Sequence, residues 1–195
     1  MEVLEGILTR RSTRKMKPEI PDRHRIEQVL EAGRAAPSGS NSQTTRFIVI
    51  TEPSVRDELR RLVQQEFAAM EITEDTYISL KNSIRASKTG NYVFDYNAPV
   101  LIVTANKRGY GNALADSACA LENMMIAANA LDLGSCWINQ LHWLTDQPNV
   151  RDCLLGLGMQ EDEFVTGGLI LGYGYDGAPA RGTREPKGNP VVWIE

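Results

Sequence analysis

Three arginines and two hydroxyl side chains lie within five residues near the start of the chain, at Arg10-Arg11-Ser12-Thr13-Arg14. A guanidinium group is permanently charged and offers paired donors that match the oxygens of a phosphate or carboxylate. The cluster therefore predicts an anion site where a helix gives way to a loop. A second basic, turn-rich segment lies at 181–186, and the two could converge on one phosphate. The alternative for both is a solvated basic surface, which charge runs commonly form.

The loop 37–43 gathers hydrogen-bonding groups around one glycine. Gly39 frees the backbone for close approach to a ligand. Donors and acceptors surround it at short spacing, on Ser38, Ser40, Asn41 and Gln43. An ordinary helix-to-strand loop would have the same composition.

The stretch 134–140 places a tryptophan and two amide side chains beside a helix that is apolar nearly all round. Trp137, Asn139 and Gln140 could form a flat slot with hydrogen bonds at its edge, although Trp137 could equally be a core residue.

The later segment 172–177 matches G-x-G-x-x-G. That dinucleotide motif requires a helix next, and the proline-containing segment 178–182 is not a helix start, so we reject it.

The hydrophobic pattern indicates how these stretches are positioned. Helical periodicity predicts helices near 3–8, after the N-cap candidate Asp22, from Pro53, over the buried stretch 113–131 and near 150–157. Short apolar runs predict strands at 47–50, 100–103, 135–138, 169–171 and 191–194. The 195 residues fit one domain. The weakly patterned stretch at about 67–95 reads as a helical excursion or lid outside the sheet.

Composition excludes several classes of function. The formal net charge is −4, which gives no reason to expect nucleic-acid or membrane binding. Three cysteines without a CxxC pair argue against a disulfide framework, and only two histidines argue against a metal site. The acidic N-terminus does not resemble a signal peptide, and no apolar run is long enough to cross a bilayer. The expected location is cytoplasmic.

Taken in order, these stretches resemble the nitroreductase family. That family has an early Arg-x-Ser-x-Arg, an Ala-Pro-Ser-Gly-x-Asn-x-Gln loop, a strand opening with Phe-Ile-Val, and a strand after Ala-Pro. It then has a long buried helix, a Gly-Ser-Cys-Trp-Ile-like return and a late Arg-x-Pro. The matching positions here are 10–14, 36–43, 47–49, 98–99, 113–131, 134–138 and 184–186. The sequence departs from the family at Thr44-Thr45, where Pro-Trp is common, and over 67–95.

The resemblance implies an α+β homodimer with a central mixed or antiparallel sheet flanked by helices. The C-terminal strand would complete the partner's sheet, and FMN would lie at the subunit interface. Arg10, Ser12 and Arg184 would hold the FMN phosphate with Arg11 beside them, and Arg14 would reach the pyrimidine edge of the flavin ring. A fixed positive charge there would stabilise the anionic reduced flavin.

The remaining implied flavin contacts come from two other stretches. The partner subunit would contribute Pro37, Ser38, Gly39, Asn41 and Gln43. One side of the ring would be lined by Trp137, Ile138, Asn139 and Gln140, with backbone groups near the hydride-carrying nitrogen.

The implied activity is ping-pong hydride transfer from NADH or NADPH, through FMN, to a small oxidised acceptor such as a nitroaromatic, quinone or enone. No side chain is required as nucleophile or strong base, and Cys136 has no histidine near it in sequence. A flavin-dependent dehydrogenase or dehalogenase on the same scaffold and a non-catalytic flavin-binding redox sensor are the alternatives. The sequence leaves the acceptor and the choice between NADH and NADPH open.

Overall fold

A four-stranded antiparallel sheet forms the centre of the computed structural model, which describes residues 2–176, 179–183 and 188–195. Its strands lie in the order β1-β2-β4-β3, and each neighbouring pair is antiparallel. The predicted α+β fold with an antiparallel sheet flanked by helices is confirmed. The strands are β1 (Arg46–Ile50), β2 (Val100–Lys107), β3 (Gly134–Ile138) and β4 (Glu163–Gly172).

Helices cover both faces of this sheet. They are α1 (Val3–Thr9), α2 (Arg23–Arg34), α3 (Pro53–Ala69), α4 (Ile78–Lys88), α5 (Ala113–Ala130), α6 (Gln140–Trp143) and α7 (Pro148–Gly156). Side chains alternate between the two faces of a strand and so divide the core into two layers. One layer packs against α3, α4, α6 and α7, and the other packs against α2 and α5. Because β2 is covered on both faces, its apolar run is unbroken, as predicted for 100–103.

Local chemistry explains where α2 begins and ends. The Asp22 carboxylate accepts a hydrogen bond of 3.0 Å from the backbone N–H of Arg25, which confirms the predicted N-cap. The helix ends at Arg34, before Pro37, as the restricted backbone of a residue preceding proline requires. Gly33 brings α2 close to α5, because a Cβ at this position would lie 2.8 Å from Met124 Cγ.

Two strands are longer than the sequence indicates, because they contain buried polar residues that break the apolar pattern. Thr104, Asn106 and Thr166 are each no more than 4% exposed. The Thr104 hydroxyl donates to the Gly167 carbonyl oxygen at 3.2 Å, and the Thr166 hydroxyl lies 3.1 Å from Thr104 Oγ1. These hydrogen bonds offset the cost of burying the hydroxyl groups. The β2–β4 register shifts between Thr104 and Ala105, with Thr166 as the extra residue, and the pairing then continues.

Two apolar segments lie on the surface of the chain. The predicted strand 191–194 pairs with no strand among the described residues, and Trp193 and Ile194 are 82% and 96% exposed. An apolar run forms a strand only when a neighbouring edge is available, and no edge of this chain's own sheet lies beside it. Val3, Leu4 and Leu8 on α1 are also exposed, although the predicted helix is present.

The weakly patterned stretch 67–95 contributes to the core at several points. Phe67 lies in the last turn of α3, Ile84 lies on α4 and Phe94 precedes β2, and each is at most 1% exposed. None of the described residues in this stretch belongs to the sheet. Within the described part of the chain, no helix is long and apolar enough to span a membrane.

Candidate functional site

The arginine-rich segment that follows α1 lies along the outer edge of β3. The Thr13 backbone N–H donates to the Ser135 carbonyl oxygen at 2.9 Å, and Ser12 pairs with Ser135 as a parallel bridge. Gly134 permits this approach, because a Cβ there would lie 2.6 Å from Thr13 Cγ2. The structure therefore brings the predicted anion segment against the predicted flavin-lining stretch.

The segment that follows β4 also contacts the arginine-rich segment. The Gly182 N–H donates to the Thr9 carbonyl oxygen at 3.0 Å, and the Ala180 N–H donates to Thr13 Oγ1 at 2.9 Å. Arg10 and Arg181 form an antiparallel bridge. The two basic segments therefore meet, which is one of the two alternatives that the sequence left open. Arg184 lies outside the described residues, and its contact with the phosphate stays a prediction.

Arg181 is engaged by the end of α5. Its Nε donates to Asn129 Oδ1 at 2.9 Å and its Nη2 to Asp132 Oδ1 at 2.7 Å. Nη2 also lies 2.5 Å from the Asn129 carbonyl oxygen. A cation at a helix C-terminus binds free carbonyl groups and opposes the negative end of the helix dipole. Arg181 therefore fixes the position of the backbone that carries it.

Arg10 and Arg11 each have a buried donor atom with no hydrogen-bond partner in the part of the chain that the structure describes. Arg10 Nε lies 3.6 Å from Glu122 Oε1, which is an ion pair but too long for a hydrogen bond. Arg11 Nη1 donates to the Arg10 carbonyl oxygen at 2.7 Å. Among the described residues, Arg10 Nε and Arg11 Nη2 are buried and have no hydrogen-bond partner. Buried cationic donors without partners are costly, and an anion would satisfy them.

Arg14 and Ser12 complete this segment. Arg14 is exposed, and its guanidinium carbon lies 5.8 Å from the centroid of the Tyr96 ring, within cation–π range. Ser12 is partly exposed on the same segment. Sequence reasoning missed Tyr96, because it lies at the end of the stretch with the weakest pattern.

The loop 37–43 is held by two residues that sequence reasoning did not assign to the site. The Gly39 N–H donates to Asp116 Oδ1 at 3.1 Å, and the Tyr110 hydroxyl donates to Asp116 Oδ2 at 2.8 Å. The Tyr110 oxygen is also 3.0 Å from Ser42 Oγ. Asp116 is only 7% exposed. The signal in the sequence was a carboxylate in the first turn of a largely apolar helix.

The same loop has an unusual backbone. Ser40, Asn41 and Gln43 have φ angles of 52°, 53° and 50°. Such left-handed conformations are uncommon outside glycine and persist where surrounding contacts enforce them. A cavity of about 350 Å³ opens beside the loop, with Pro37, Ser38 and Gln43 in its wall. The loop is thus held in one shape with polar groups facing open space.

The two halves of the predicted site lie at opposite ends of α5. Loop 37–43 is anchored to Asp116 in the first turn of the helix, whereas the basic segments are anchored to Asn129 in its last turn. At 1.5 Å per residue, these anchors are about 20 Å apart along the helix axis. A single chain therefore does not bring all the predicted contacts together.

The end of β3 shows how the predicted slot is built. Trp137 is half-buried against the layer of α2 and α5, and its Nε1 donates to Asn139 Oδ1 at 2.6 Å. The Ile138 side chain is 5% exposed and packs into the opposite layer, which leaves its backbone as the part able to meet a ligand. The Gln140 Nε2 donates to the Tyr92 hydroxyl at 2.8 Å. Trp137 thus packs against the core, and its place in a flavin slot stays a prediction.

Comparisons with known proteins agree with this architecture. Residues 7–173 match the family described as the nitroreductase family. A nitroreductase from Bacteroides fragilis, solved with bound FMN, is 34% identical, covers 100% of both chains and has a TM-score of 0.88. YdjA of Escherichia coli K12, whose name assigns it provisionally to the NAD(P)H nitroreductases, is 25% identical over 178 residues, 88% of each chain.

The fold also occurs in a protein that acts on an amino-acid derivative. Iodotyrosine deiodinase, solved with FMN and 3-iodo-L-tyrosine, has a TM-score of 0.71 at 16% identity and covers 100% of this chain and 99% of its own. At that identity the likeness shows the fold alone.

Substitution of Gly134 tests the contact that places the basic segment. A Gly134→Ala Cβ would lie 2.6 Å from Thr13 Cγ2, and Thr13 is held by hydrogen bonds on both sides. We expect a loss of about 1–3 kcal/mol in the free energy of unfolding, measured by urea denaturation. Gly156→Ala is the matched control, since nothing lies within 4 Å of a Cβ there. Equal stability of the two variants would contradict the tight contact.

Proposed function

The chain belongs to the nitroreductase family, and on that premise we propose that it is an FMN-dependent oxidoreductase that uses NADH or NADPH to reduce a small oxidised organic molecule. The observation that carries the proposal is a pair of buried guanidinium donors, Arg10 Nε and Arg11 Nη2, that find no hydrogen-bond partner among residues 2–176, 179–183 and 188–195. They lie where the basic segments meet, and an FMN phosphate matches their charge and geometry. FMN is bound in the Bacteroides fragilis relative.

The residues around this point have distinct proposed roles. Arg10, Arg11 and Ser12 would bind the phosphate, together with Arg184. Arg14, exposed at the end of the same segment, would place its charge at the pyrimidine edge of the ring. A fixed positive charge favours the reduced, anionic form of the cofactor.

The stretch 137–140 would form the wall beside the ring. Its side chains are already constrained by hydrogen bonds and packing, so little ordering would be required on binding. Bound FMN would supply the redox chemistry, accepting hydride from the nicotinamide and delivering it to a nitroaromatic, quinone or enone. The protein's residues would position the reactants, and none is required as a nucleophile or strong base.

We propose that the active unit is a homodimer, because one chain leaves the site in two halves. Loop 37–43 of one subunit would meet the basic segment and β3 of the other. β1 is an outer strand of the sheet. Beside it a cavity of about 400 Å³ is lined by apolar side chains, among them Ile20 and Val49, and by the polar side chains of Arg23 and Thr51. The exposed apolar run 191–194 of the partner subunit suits this edge, where it would add a strand.

Flavin binding and reduction test the cofactor and the electron donor together. We expect the protein, saturated with FMN and freed of excess, to show a bound-flavin absorption band that bleaches when NADH or NADPH is added without oxygen. Arg11→Ala should weaken FMN binding about 30-fold, because a charge-assisted hydrogen bond is lost. Arg61→Ala removes an exposed arginine of α3, paired with Glu58 and outside both cavities, and serves as the control.

Two results of that experiment would contradict the proposal. If the protein retains no FMN, the cofactor assignment is wrong. If bound flavin does not bleach with either nucleotide, the reductase assignment is wrong and a flavin-binding redox sensor is favoured.

The charge of Arg14 can be tested through the potential of the bound flavin. Arg14→Ala should lower the two-electron reduction potential by about 20 mV and slow turnover, a modest shift because the side chain is exposed to solvent. Arg14→Lys retains the charge and should retain most of the potential. Potentials measured by dye equilibration that agree for the wild type and Arg14→Ala would rule out this role.

The dimer can be tested at the exposed tail. Trp193 is 82% exposed in the single chain, and a buried tryptophan is a frequent anchor of an interface. Trp193→Ser should weaken self-association about 30-fold in sedimentation experiments. Tyr175→Ser, at a tyrosine that is 66% exposed, is the control. A monomeric wild type would refute the proposed assembly.

A further inference from the structure

The Tyr92 hydroxyl lies between α4 and the start of α6. It is 2.9 Å from Ser83 Oγ and 2.8 Å from Gln140 Nε2. An amide nitrogen only donates, so the phenol oxygen accepts from Gln140, and the phenol proton is left for Ser83 Oγ. The Tyr92 ring packs edge-on against Phe67, with 6.1 Å between centroids, and Phe67 is fully buried. The position of the hydroxyl is thus set by the core.

Both ends of the Gln140 carboxamide are engaged as a result. Its Nε2 donates to Tyr92, and its Oε1 accepts from the Asn139 backbone N–H at 3.1 Å. The Asn139 side chain in turn accepts from Trp137 Nε1 at 2.6 Å. Hydrogen bonds therefore link Ser83 on α4 to the Asn139 backbone, and the Asn139 side chain extends the connection to Trp137 on β3. These hydrogen bonds define which way each amide faces.

The turn that follows Tyr92 is anchored firmly enough for this task. Asp95 is fully buried and accepts a bifurcated hydrogen bond from Arg60 Nε and a second bond from Nη2, at 2.7–3.0 Å. The Arg56 guanidinium lies 2.5 Å from the Ala98 carbonyl oxygen. A buried ion pair with full hydrogen bonding holds one geometry.

The protonation state of Tyr92 is consistent with its place in the chain. Burial raises the pKa of Tyr92 above its usual value, although hydrogen bonds with Ser83 and Gln140 act in the opposite direction. The phenol therefore remains neutral near pH 7 and keeps its proton. It can accept from Gln140 and donate to Ser83 at the same time.

We propose that Tyr92 is a positioning residue of the flavin site, which acts by holding the Gln140 carboxamide and, through it, the backbone of Asn139. The stretch 67–95 would then influence hydride transfer without touching the cofactor. This inference rests on the proposed function, because it requires the flavin ring to lie beside 137–140. A tether that only stabilised the fold would leave the spectrum and reduction rate of bound flavin unchanged.

Tyr92→Phe removes the hydroxyl and keeps the ring. In the cofactor-free protein we expect the Gln140 side-chain amide and the Asn139 backbone amide to exchange hydrogen faster, measured by NMR. In the FMN-bound protein we expect the rate constant for flavin reduction to fall about fivefold, the effect of one neutral hydrogen bond. The KM for the nicotinamide and the Kd for FMN should change less than about twofold.

Two further variants separate positioning from general damage. Tyr77→Phe removes the hydroxyl of a tyrosine on the same stretch that is 62% exposed, and it should match the wild type. In a Gln140→Met background, Tyr92→Phe should have no additional effect on the reduction rate, since the group that it positions is gone. This comparison remains valid if Tyr92→Phe lowers stability.

The outcomes separate this inference from the proposed function. If wild-type protein binds and reduces FMN while Tyr92→Phe leaves amide exchange, spectrum and reduction rate unchanged, the inference is overturned and the proposed function stands. If the wild type binds no FMN, the proposed function fails and the flavin role of Tyr92 fails with it. Altered exchange together with a slower reduction rate supports both.

Discussion

The contact between Thr13 and Gly134 determines where the basic segment lies, and the rest of the site depends on that position. Thr13 is 5% exposed, and its Cγ2 occupies the space that a side chain at position 134 would fill. Its backbone N–H is held by Ser135 and its hydroxyl by the Ala180 N–H. One threonine therefore joins three parts of the chain that are distant in sequence. The same contact sets the positions of Arg10 and Arg11, because both residues belong to this segment.

The helix α5 sets the distance between the two halves of the site. Asp116 in its first turn holds loop 37–43, and Asn129 in its last turn receives Arg181 and donates to the Gly6 carbonyl oxygen at 3.0 Å. A buried helix is rigid, so the halves cannot approach within one chain. Asp116 and Asn129 lie among the buried residues of α5, and their architectural roles explain why a largely apolar helix carries polar side chains there.

Much of the architecture could be predicted because it depends on local chemistry. Residues that are neighbours in the sequence determine the Asp22 cap, the end of α2 before Pro37 and the apolar run of α5. The contacts of Asp116 with Gly39 and of Tyr92 with Gln140 join residues 77 and 48 positions apart. No periodicity or motif encodes such pairs, because tertiary packing creates them. Strand 191–194 was not found in the single chain for a related reason, since a strand requires an edge to pair with.

The two places where the sequence departs from the family differ in what they contact. Thr45 contacts the sheet and α5, because its Oγ1 lies 3.2 Å from Asn106 Nδ2 and 3.4 Å from Ser117 Oγ. The stretch 67–95 instead reaches the candidate site, through Tyr92 at Gln140 and, just beyond it, Tyr96 at Arg14. The Arg60–Asp95 ion pair that anchors this stretch is costly to bury, and its hydrogen bonds offset that cost. Burial lowers the pKa of Arg60, but the hydrogen bonds and charges of Asp95 and Asp57 raise it overall. Variation within a firmly anchored stretch can alter the geometry of the site while the sheet, α5 and the basic segment stay in place.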